Sequence, residues 1–161
     1  MRSAPRQEAA MRILVACDHG AFELKDKVLA QLQAAPGVEV VNLGVDGPDS
    51  VDYPDYAAKA CQGVLNGDGE RAVLLCGTGI GISIAANRYP GIRAALVHDE
   101  YGARLCRQHN DANVLVLGGR TTGPNVAEGI VRVWLETEFE GARHQRRLDK
   151  IESNAAEYLK R

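Results

Sequence analysis

Short apolar runs alternate with helical patterns along most of the chain. Five runs rich in branched residues have the length of a strand: residues 12–17, 38–43, 72–76, 93–97 and 114–117. They are continuously apolar, which is typical of parallel strands that helices cover on both faces. The regular alternation of strand and helix predicts an α/β fold with a doubly wound, five-stranded parallel sheet.

Apolar residues at helical spacing fill the intervals between these runs. Residues 22–32 and 56–64 predict two helices, which end before Pro36 and before Asn66. Shorter helices are predicted over residues 80–87 and 99–108. Pro124 is expected at the first position of a longer helix that continues through Trp134.

An additional helix is predicted at the C-terminus, with no strand after it. Within residues 145–160, one helical stripe carries Leu148, Ile151, Ala155 and Leu159, and the charged residues lie opposite. Such an amphipathic helix packs either on its own domain or on a second subunit, and the pattern alone does not choose between them.

The composition is that of one globular domain. The chain has 161 residues, 45% of them hydrophobic, and its 19 basic and 21 acidic side chains give a net charge of −2. This balance excludes double-stranded nucleic acid and anionic membranes as partners, since both need a broad basic surface. We expect residues 1–10 to be a disordered extension and residues 11–161 to form a single domain.

No apolar run approaches the roughly 18 residues of a membrane span, and the first ten residues lack the apolar stretch of a secretory signal. We therefore expect a cytoplasmic protein.

The four cysteines show no C-x-x-C pair, which argues against a disulfide framework and against a structural zinc site. Cys61 and Cys106 fall within predicted helices and are interpreted as structural. Cys17 and Cys76 end predicted strands, and Cys76 stands directly before a glycine-rich loop where a helix dipole would stabilise a thiolate. Cys76 is therefore a candidate base, with a buried structural cysteine as the alternative.

The strongest local motif is the glycine-rich sequence CGTGIG at 76–81. Alternate glycines between a strand and a helix let several backbone N–H groups point at one anion, and loops at the carboxyl ends of parallel strands are where ligands bind. The motif has neither G-x-G-x-x-G spacing nor G-K-[ST], which argues against a nucleotide-dependent oxidoreductase. A tight turn that binds nothing is the other alternative.

Two histidines are candidates for proton transfer near neutral pH. His19 follows an aspartate in the loop after the first predicted strand, and His109 precedes an asparagine at a predicted helix end. His98 and His144 are interpreted as surface or capping histidines.

Three arginines, Arg143, Arg146 and Arg147, cluster before the final predicted helix. Forked guanidinium groups suit a phosphate dianion. A solvated basic turn is the alternative interpretation.

Five motifs occur in a fixed order: CDHG at 17–20, DYP at 52–54, CGTGIGIS at 76–83 followed by AAN at 85–87, RQHND at 107–111, and RHQRR at 143–147. In this order and spacing they closely resemble the B-type ribose-5-phosphate isomerases, a family that includes the galactose-6-phosphate isomerase subunits. The resemblance runs from about Met11 to the final helix.

The resemblance implies an aldose–ketose isomerase of the non-oxidative pentose phosphate pathway, which interconverts ribose 5-phosphate and ribulose 5-phosphate without a cofactor. The sequence itself shows no set of ligands that demands a metal. It implies a Rossmann-like three-layer αβα sandwich. It also implies a homodimer or a tetramer whose active sites form between subunits.

Roles carry over from the resemblance by position. Cys76 matches the base that moves a proton between C2 and C1, and His109 matches the acid/base that opens the furanose ring. The remaining matches are substrate contacts: Asp18, His19, Tyr53, Gly77, Thr78, Gly79, Ile80, Gly81, Asn110, Arg120, Arg143 and Arg147. Some relatives carry glutamate at the position of Ile82 and lack the cysteine, so this chain resembles the cysteine-using branch.

The residues do not determine which sugar phosphate is the substrate. Allose 6-phosphate or galactose 6-phosphate would fit the same motifs, because nothing in the sequence sets the length of the sugar slot. The Asp- and Gly-rich segment 46–53 is expected to help set it. A non-catalytic phosphosugar-binding protein is a further alternative, and it would not exchange the C2 proton of a bound sugar with solvent.

Overall fold

The structure is a computed structural model that describes residues 9–160. Its strands are β1 (Met11–Cys17), β2 (Val38–Asn42), β3 (Arg71–Cys76), β4 (Ala94–Leu96) and β5 (Val114–Gly118). They form one sheet in the order β2-β1-β3-β5-β4, and every neighbouring pair is parallel. The predicted five-stranded parallel sheet is confirmed.

Helices lie on both faces of this sheet. They are α1 (Phe22–Ala34), α2 (Tyr53–Asn66), α3 (Ile80–Ala86), α4 (Glu100–Gln108), α5 (Pro124–Glu136) and α6 (Arg143–Ala155). Residues of α1, α4 and α5 form an apolar core against one face, and residues of α2 and α3 form a second core against the other. The fold is therefore the Rossmann-like three-layer sandwich that was predicted, and α6 is the additional C-terminal helix.

Two helices begin earlier than the apolar pattern predicts. The helix α2 starts at Tyr53 instead of residue 56, with Asp52 at its N-cap position and a proline in its first turn. The helix α6 starts at Arg143 instead of residue 145 and ends at Ala155. The basic cluster thus lies within the first turns of α6 and does not precede the helix. Except for the buried His144, most first-turn residues of the two helices are exposed and polar, so apolar spacing does not detect these turns.

The two edge strands are less covered than their apolar sequences predict. The strands β1, β3 and β5 are buried along most of their length. No residue of β2 or β4 is fully buried within residues 38–42 and 94–96. Each of these two strands pairs with a single neighbour and has one open edge, which explains the difference.

The predicted extension, residues 1–10, lies almost wholly outside the described residues. Ala9 and Ala10 are exposed and belong to no strand or helix, and β1 begins at the next residue. Within residues 9–160, no helix has the length and apolar character needed to cross a bilayer.

The strand order indicates where a ligand would bind. That place lies along the carboxyl ends of the strands, which are called the ligand edge below. From β1 the chain moves to β2 on one side of the sheet, whereas β3 lies on the other side of β1. In such sheets the crevice at the carboxyl ends of the two strands where the order reverses is the usual ligand site. Asp18 follows β1 and Cys76 ends β3, so both lie at this position.

Candidate active site

Cys76 lies at the carboxyl end of β3, where the glycine loop begins. Its side chain is 4% exposed, and its Sγ accepts the backbone N–H of Gly79 at 3.2 Å. Gly79 has a φ of 77°, and a Cβ at this position would lie 2.5 Å from a methyl carbon of Leu96. Glycine is therefore needed for the turn that aims this N–H at the sulfur. The sulfur has a fixed donor that can stabilise negative charge.

The loop after β1 presents Asp18 and His19. The Asp18 carboxylate is 8% exposed and accepts the backbone N–H of Gly20 at 2.9 Å. The Nδ1 atom of His19 accepts the backbone N–H of Val51 at 3.2 Å. Because Nδ1 is an acceptor, the neutral ring carries its proton on Nε2, which can donate to a ligand.

Arg120 brings positive charge to the same edge. Its backbone N–H donates to the carbonyl of Gly77 at 2.8 Å, which ties the loop after β5 to the glycine loop. The loop after β1 packs on the same glycine, since a Cβ at Gly20 would lie 3.1 Å from the Gly77 Cα. A cleft of about 300 Å³ opens between His19, Gly20 and the exposed Arg120. The structure thus brings together residues from three of the predicted loops.

Tyr53 reaches the glycine loop from a fourth segment. It is 39% exposed, and a Cβ at Gly81 would lie 2.7 Å from the Cζ atom of its ring. The ring therefore lies directly against the first turn of α3, which only glycine at this position permits.

Lys25 is a residue whose role the sequence did not indicate. Its side chain is completely buried, and Nζ donates to the carbonyl of Val45 at 2.7 Å and to Oδ1 of Asn42 at 3.1 Å. It also forms an ion pair with Asp46. Hydrogen bonds from Lys25 and Asn42 lower the pKa of the Asp46 carboxyl. This cluster anchors the start of the segment that leads to Tyr53.

The other three cysteines lack the environment of Cys76. Burial raises the pKa of Cys17 to about 11, of Cys61 to about 12 and of Cys106 to about 11. These side chains are therefore thiols at neutral pH. The Cys17 thiol donates to the Val45 carbonyl at 3.7 Å, whereas the Cys76 sulfur accepts a backbone N–H.

His109 and Asn110 lie at the amino ends of the strands, opposite the ligand edge. The helix α4 runs back from the carboxyl edge, and His109 is its C-cap residue, shortly before β5 begins. The five residues of β5, at about 3.3 Å each, separate the two edges by roughly 16 Å. Within one chain, the structure does not bring His109 and Asn110 together with Cys76.

The turn that carries His109 is held by two arginines. Asp111 has a φ of 43°, which is unusual for a residue with a side chain. The buried Arg107 donates to its Oδ1 at 2.8 Å. The Nε of Arg93 approaches the carbonyls of Asn110 and Asp111 at 3.1 and 3.0 Å. The turn is therefore fixed by one side chain of α4 and by one from the segment that leads into β4.

His144 is not the surface or capping histidine that the sequence predicted. It is 3% exposed and stacks on His109, with ring centroids 4.2 Å apart and planes 13° from parallel. Its Nε2 lies 3.4 Å from a carboxylate oxygen of Glu140 but makes no hydrogen bond. Burial, together with the positive charge of Arg143, lowers the pKa of His144, so the ring is neutral at physiological pH. The i,i+4 spacing of Glu140 and His144 was the only signal in the sequence.

The predicted arginine cluster surrounds this pair of rings. Arg143, Arg146 and Arg147 are exposed on the first turns of α6. Arg143 and Arg147 are one turn apart and share a helix face. Both act electrostatically on the adjacent His144. Together with His109 and Asn110 they form a second group of predicted substrate contacts, separate from the group around Cys76.

Within residues 9–160, His109, Glu140 and His144 are the one group whose donor atoms all lie within 4.8 Å of one another, as a metal site requires. The two rings are nearly parallel, so their in-plane lone pairs do not converge on one point. Neighbouring guanidinium groups add positive charge. Although imidazole and carboxylate groups are metal ligands, this geometry therefore does not suit a metal ion.

A family model described as Ribose/Galactose Isomerase matches residues 13–151. The chain belongs to the ribose/galactose isomerase family. Ribose-5-phosphate isomerase B of Escherichia coli (strain K12) is 45% identical over 140 residues, which are 87% of this chain and 93% of that protein. This membership confirms the resemblance carried by the five motifs.

Solved structures of this family share the fold. Ribose-5-phosphate isomerase B of Clostridium thermocellum aligns with a TM-score of 0.89 at 46% identity, over 92% of this chain and 99% of that one. A ribose 5-phosphate isomerase of Thermotoga maritima aligns with a TM-score of 0.86 at 52% identity, over 89% and 98%. The alignments cover nearly the whole isomerase chain in each case.

The buried His144 predicts a pH dependence of stability. Its unfolded-state pKa is about 6.5, whereas burial and the adjacent Arg143 keep the folded ring neutral to lower pH. The unfolded state therefore binds more protons, and the free energy of unfolding falls as the pH drops from about 7.5 to about 5.5. Urea denaturation should show a smaller fall for His144→Gln than for the unsubstituted chain. Equal falls would contradict the assignment of this effect to His144.

Proposed function

We propose that this chain is a ribose-5-phosphate isomerase, which interconverts D-ribose 5-phosphate and D-ribulose 5-phosphate in the non-oxidative branch of the pentose phosphate pathway. The observation that carries the proposal is the Cys76 sulfur, placed at the ligand edge with a backbone N–H donated to it at 3.2 Å. The E. coli, C. thermocellum and T. maritima relatives bear the name of this activity.

Cys76 is the base that removes the proton from C2 of the sugar. Its thiolate removes the C2 proton of the open-chain aldehyde, and the electrons of that C–H bond form the C1–C2 double bond of a cis-enediolate. The sulfur then returns a proton to C1, while O1 gains a proton and O2 loses one to become the carbonyl oxygen. Hydrogen moves within the substrate, so the step needs no external oxidant and no cofactor.

The glycine loop stabilises the intermediate. Negative charge on the enediolate oxygens lies near the start of α3, where the first backbone N–H groups lack partners within the helix. Fixed donors of this kind typically contribute about 10²- to 10³-fold each to a rate. Thr78, Gly79, Ile80 and Gly81 occupy this position. The Gly79 N–H donates to the Cys76 sulfur and the Ile80 N–H to Thr78 Oγ1, so the Gly81 N–H is a donor available to the enediolate.

The charged side chains bind the ends of the substrate. Arg143, Arg147 and Arg120, with His19, hold the phosphate through charge-assisted hydrogen bonds. Asp18, Tyr53, Gly77 and Asn110 contact the sugar. Binding energy at the remote phosphate holds C1 and C2 against the base. His109 opens the furanose by protonating the ring oxygen and removing the proton of the O1 hydroxyl.

A second copy of the chain completes the site. Cys76 and His109 must both approach the same pentose to within about 3 Å, but within one chain they lie at opposite edges of the sheet. Large apolar side chains are exposed beside both groups, namely Ile80 at 54%, Ile84 at 62% and Ile151 at 55%. We propose a homodimer, or a tetramer of two such dimers, in which each site takes one edge from each subunit.

We also propose that the enzyme works in the cytoplasm. All four cysteines are free, and a reducing compartment keeps such thiols in that form.

A hexose 6-phosphate is the alternative substrate. The matching family model is named for both ribose and galactose isomerases. The segment 48–50 beside Tyr53 is exposed, so a longer sugar could extend past it.

The purified protein should convert ribose 5-phosphate to ribulose 5-phosphate in buffer that contains EDTA and no nicotinamide or flavin. The assay should compare ribose 5-phosphate, allose 6-phosphate and galactose 6-phosphate. A higher kcat/KM for a hexose 6-phosphate would assign the chain to the alternative. Phosphosugar binding with no turnover and no exchange of the C2 proton with D₂O would contradict an isomerase.

Cys76→Ala should lower kcat by at least about 10²-fold, because it removes the group that takes the carbon-bound proton. Binding of the unreactive ribonate 5-phosphate should stay within about twofold, since the thiol does not contact the phosphate. Arg147→Ala should instead weaken the binding of ribonate 5-phosphate about tenfold or more, because it removes a contact to the phosphate, and should change kcat much less than Cys76→Ala does.

Cys61→Ala is the matched control, because this buried helical cysteine lies outside the site. Turnover by Cys76→Ala comparable to that of Cys61→Ala would remove the thiol from the mechanism.

Mixed dimers test whether the site is shared. Cys76→Ala and His109→Ala chains should each be inactive on ribose 5-phosphate when they are alone. A mixed dimer of one Cys76→Ala chain and one His109→Ala chain contains one site in which both Cys76 and His109 are intact. Random mixing by co-expression should restore about a quarter of the normal turnover, since half of the dimers are mixed and each has one intact site. Absence of any recovery in verified mixed dimers would show that each site is built within one chain.

A further inference from the structure

Within residues 9–160, the His109 ring stacks on one other ring, that of His144. His109 is partly exposed at the end of α4, and within residues 9–160 its ring has no hydrogen bond. Its defined contact is the face of His144, at 4.2 Å between centroids and 13° between planes. With no hydrogen bond to hold it, the ring depends on packing contacts for its orientation.

We propose that His144 is a positioning residue, whose flat ring fixes the plane of the His109 imidazole for ring opening. This inference rests on the proposed function. It places no group of His144 on the substrate, and it assigns the effect to the face of the ring and not to its nitrogens.

The surroundings of His144 hold its ring rigidly. The side chain is 3% exposed, so packing sets its rotamer. The backbone that enters α6 is unusual, with φ of 66° at Gly141 and 51° at Ala142. A hydrogen bond of 3.1 Å from the Glu140 N–H to the Gln108 carbonyl ties this segment to the end of α4. The two rings are therefore fixed to each other through the backbone as well as through their faces.

The nitrogens of His144 contribute less than its face. Nε2 makes no hydrogen bond, although the Glu140 carboxylate lies 3.4 Å away. The charged and titratable groups that act on the ring are Arg143, Arg147, His109 and Glu140, and all except Glu140 favour the neutral form. A neutral ring without hydrogen bonds acts on its neighbour through its shape.

Correct orientation has a direct effect on catalysis. Ring opening needs a nitrogen of His109 aimed at the ring oxygen, and a displacement of about 1 Å in a reacting group can cost about 10²-fold in rate. Stacking on a buried flat surface restricts rotation about χ2 while leaving the outer edge of the imidazole accessible.

The test compares a flat and a non-flat replacement. His144→Phe keeps the planar face and lacks the nitrogens, whereas His144→Leu fills similar space without a plane. His144→Met is a second non-planar variant in case the leucine variant does not fold. His98→Leu, at an exposed histidine elsewhere, is the matched control.

Two activity measurements separate ring opening from proton transfer at carbon. Conversion of ribose 5-phosphate needs ring opening. Exchange of the C1 proton of ribulose 5-phosphate with D₂O does not, because the phosphate on O5 prevents this ketose from closing a ring. We expect the non-planar variants to lose about tenfold or more in conversion while exchange stays within about twofold, and His144→Phe to stay within about threefold in both.

NMR of the His109 ring keeps this inference distinct from the proposed function. The ring signals should be sharp and similar in the original chain and in His144→Phe, and shifted or broadened in the non-planar variants. If the original chain converted neither ribose 5-phosphate nor a hexose 6-phosphate, the proposed function would be wrong. The NMR comparison would still decide whether His144 orients His109.

Three results would overturn the inference. The first is a non-planar variant equal to His98→Leu in conversion and in its His109 signals. The second is equal loss in the phenylalanine and leucine variants, which would assign the effect to the nitrogens. The third is parallel loss of conversion and exchange, which would indicate general damage to the site.

Discussion

All five strands point the same way, and this single constraint arranges the rest of the molecule. Every strand ends at one edge of the sheet, so the loops that carry Asp18, Cys76 and Arg120 meet there without any long-range adjustment. Every helix must run back to the other edge before the next strand can begin. His109, at the end of α4, is consequently delivered to the edge that Cys76 cannot reach.

Charged side chains, buried in the case of Lys25 and Arg107, then hold the loops at each edge. Lys25 holds the segment from Asn42 to Asp46, and Arg107 with Arg93 holds the turn that follows His109. These cations are satisfied by carbonyl and carboxylate oxygens, as burial of charge requires. Their role is to keep loops in place, which is a condition for catalysis by positioned groups.

The sequence predicted the sheet and the edge around Cys76 well, because both depend on short-range patterns. Apolar runs mark the strands, and glycine spacing marks the loop after β3. The stack of His144 on His109 could not be predicted in the same way, since the two residues are 35 positions apart and meet only through the entry into α6. The exposure of β2 was not predicted for a related reason: its valines resemble those of a buried strand, and only the strand order shows that it lies at the edge of the sheet.

The separation of Cys76 and His109 has a consequence for how such an enzyme responds to its own abundance. A catalyst that carries every reacting group in one chain works equally well per molecule at any dilution. Under the proposed dimer, in which each site takes one edge from each subunit, the enzyme becomes active only as subunits associate, so its specific activity falls once the concentration drops below the dissociation constant of the assembly. Synthesis level would then control not only how much enzyme a cell contains but also what fraction of it functions.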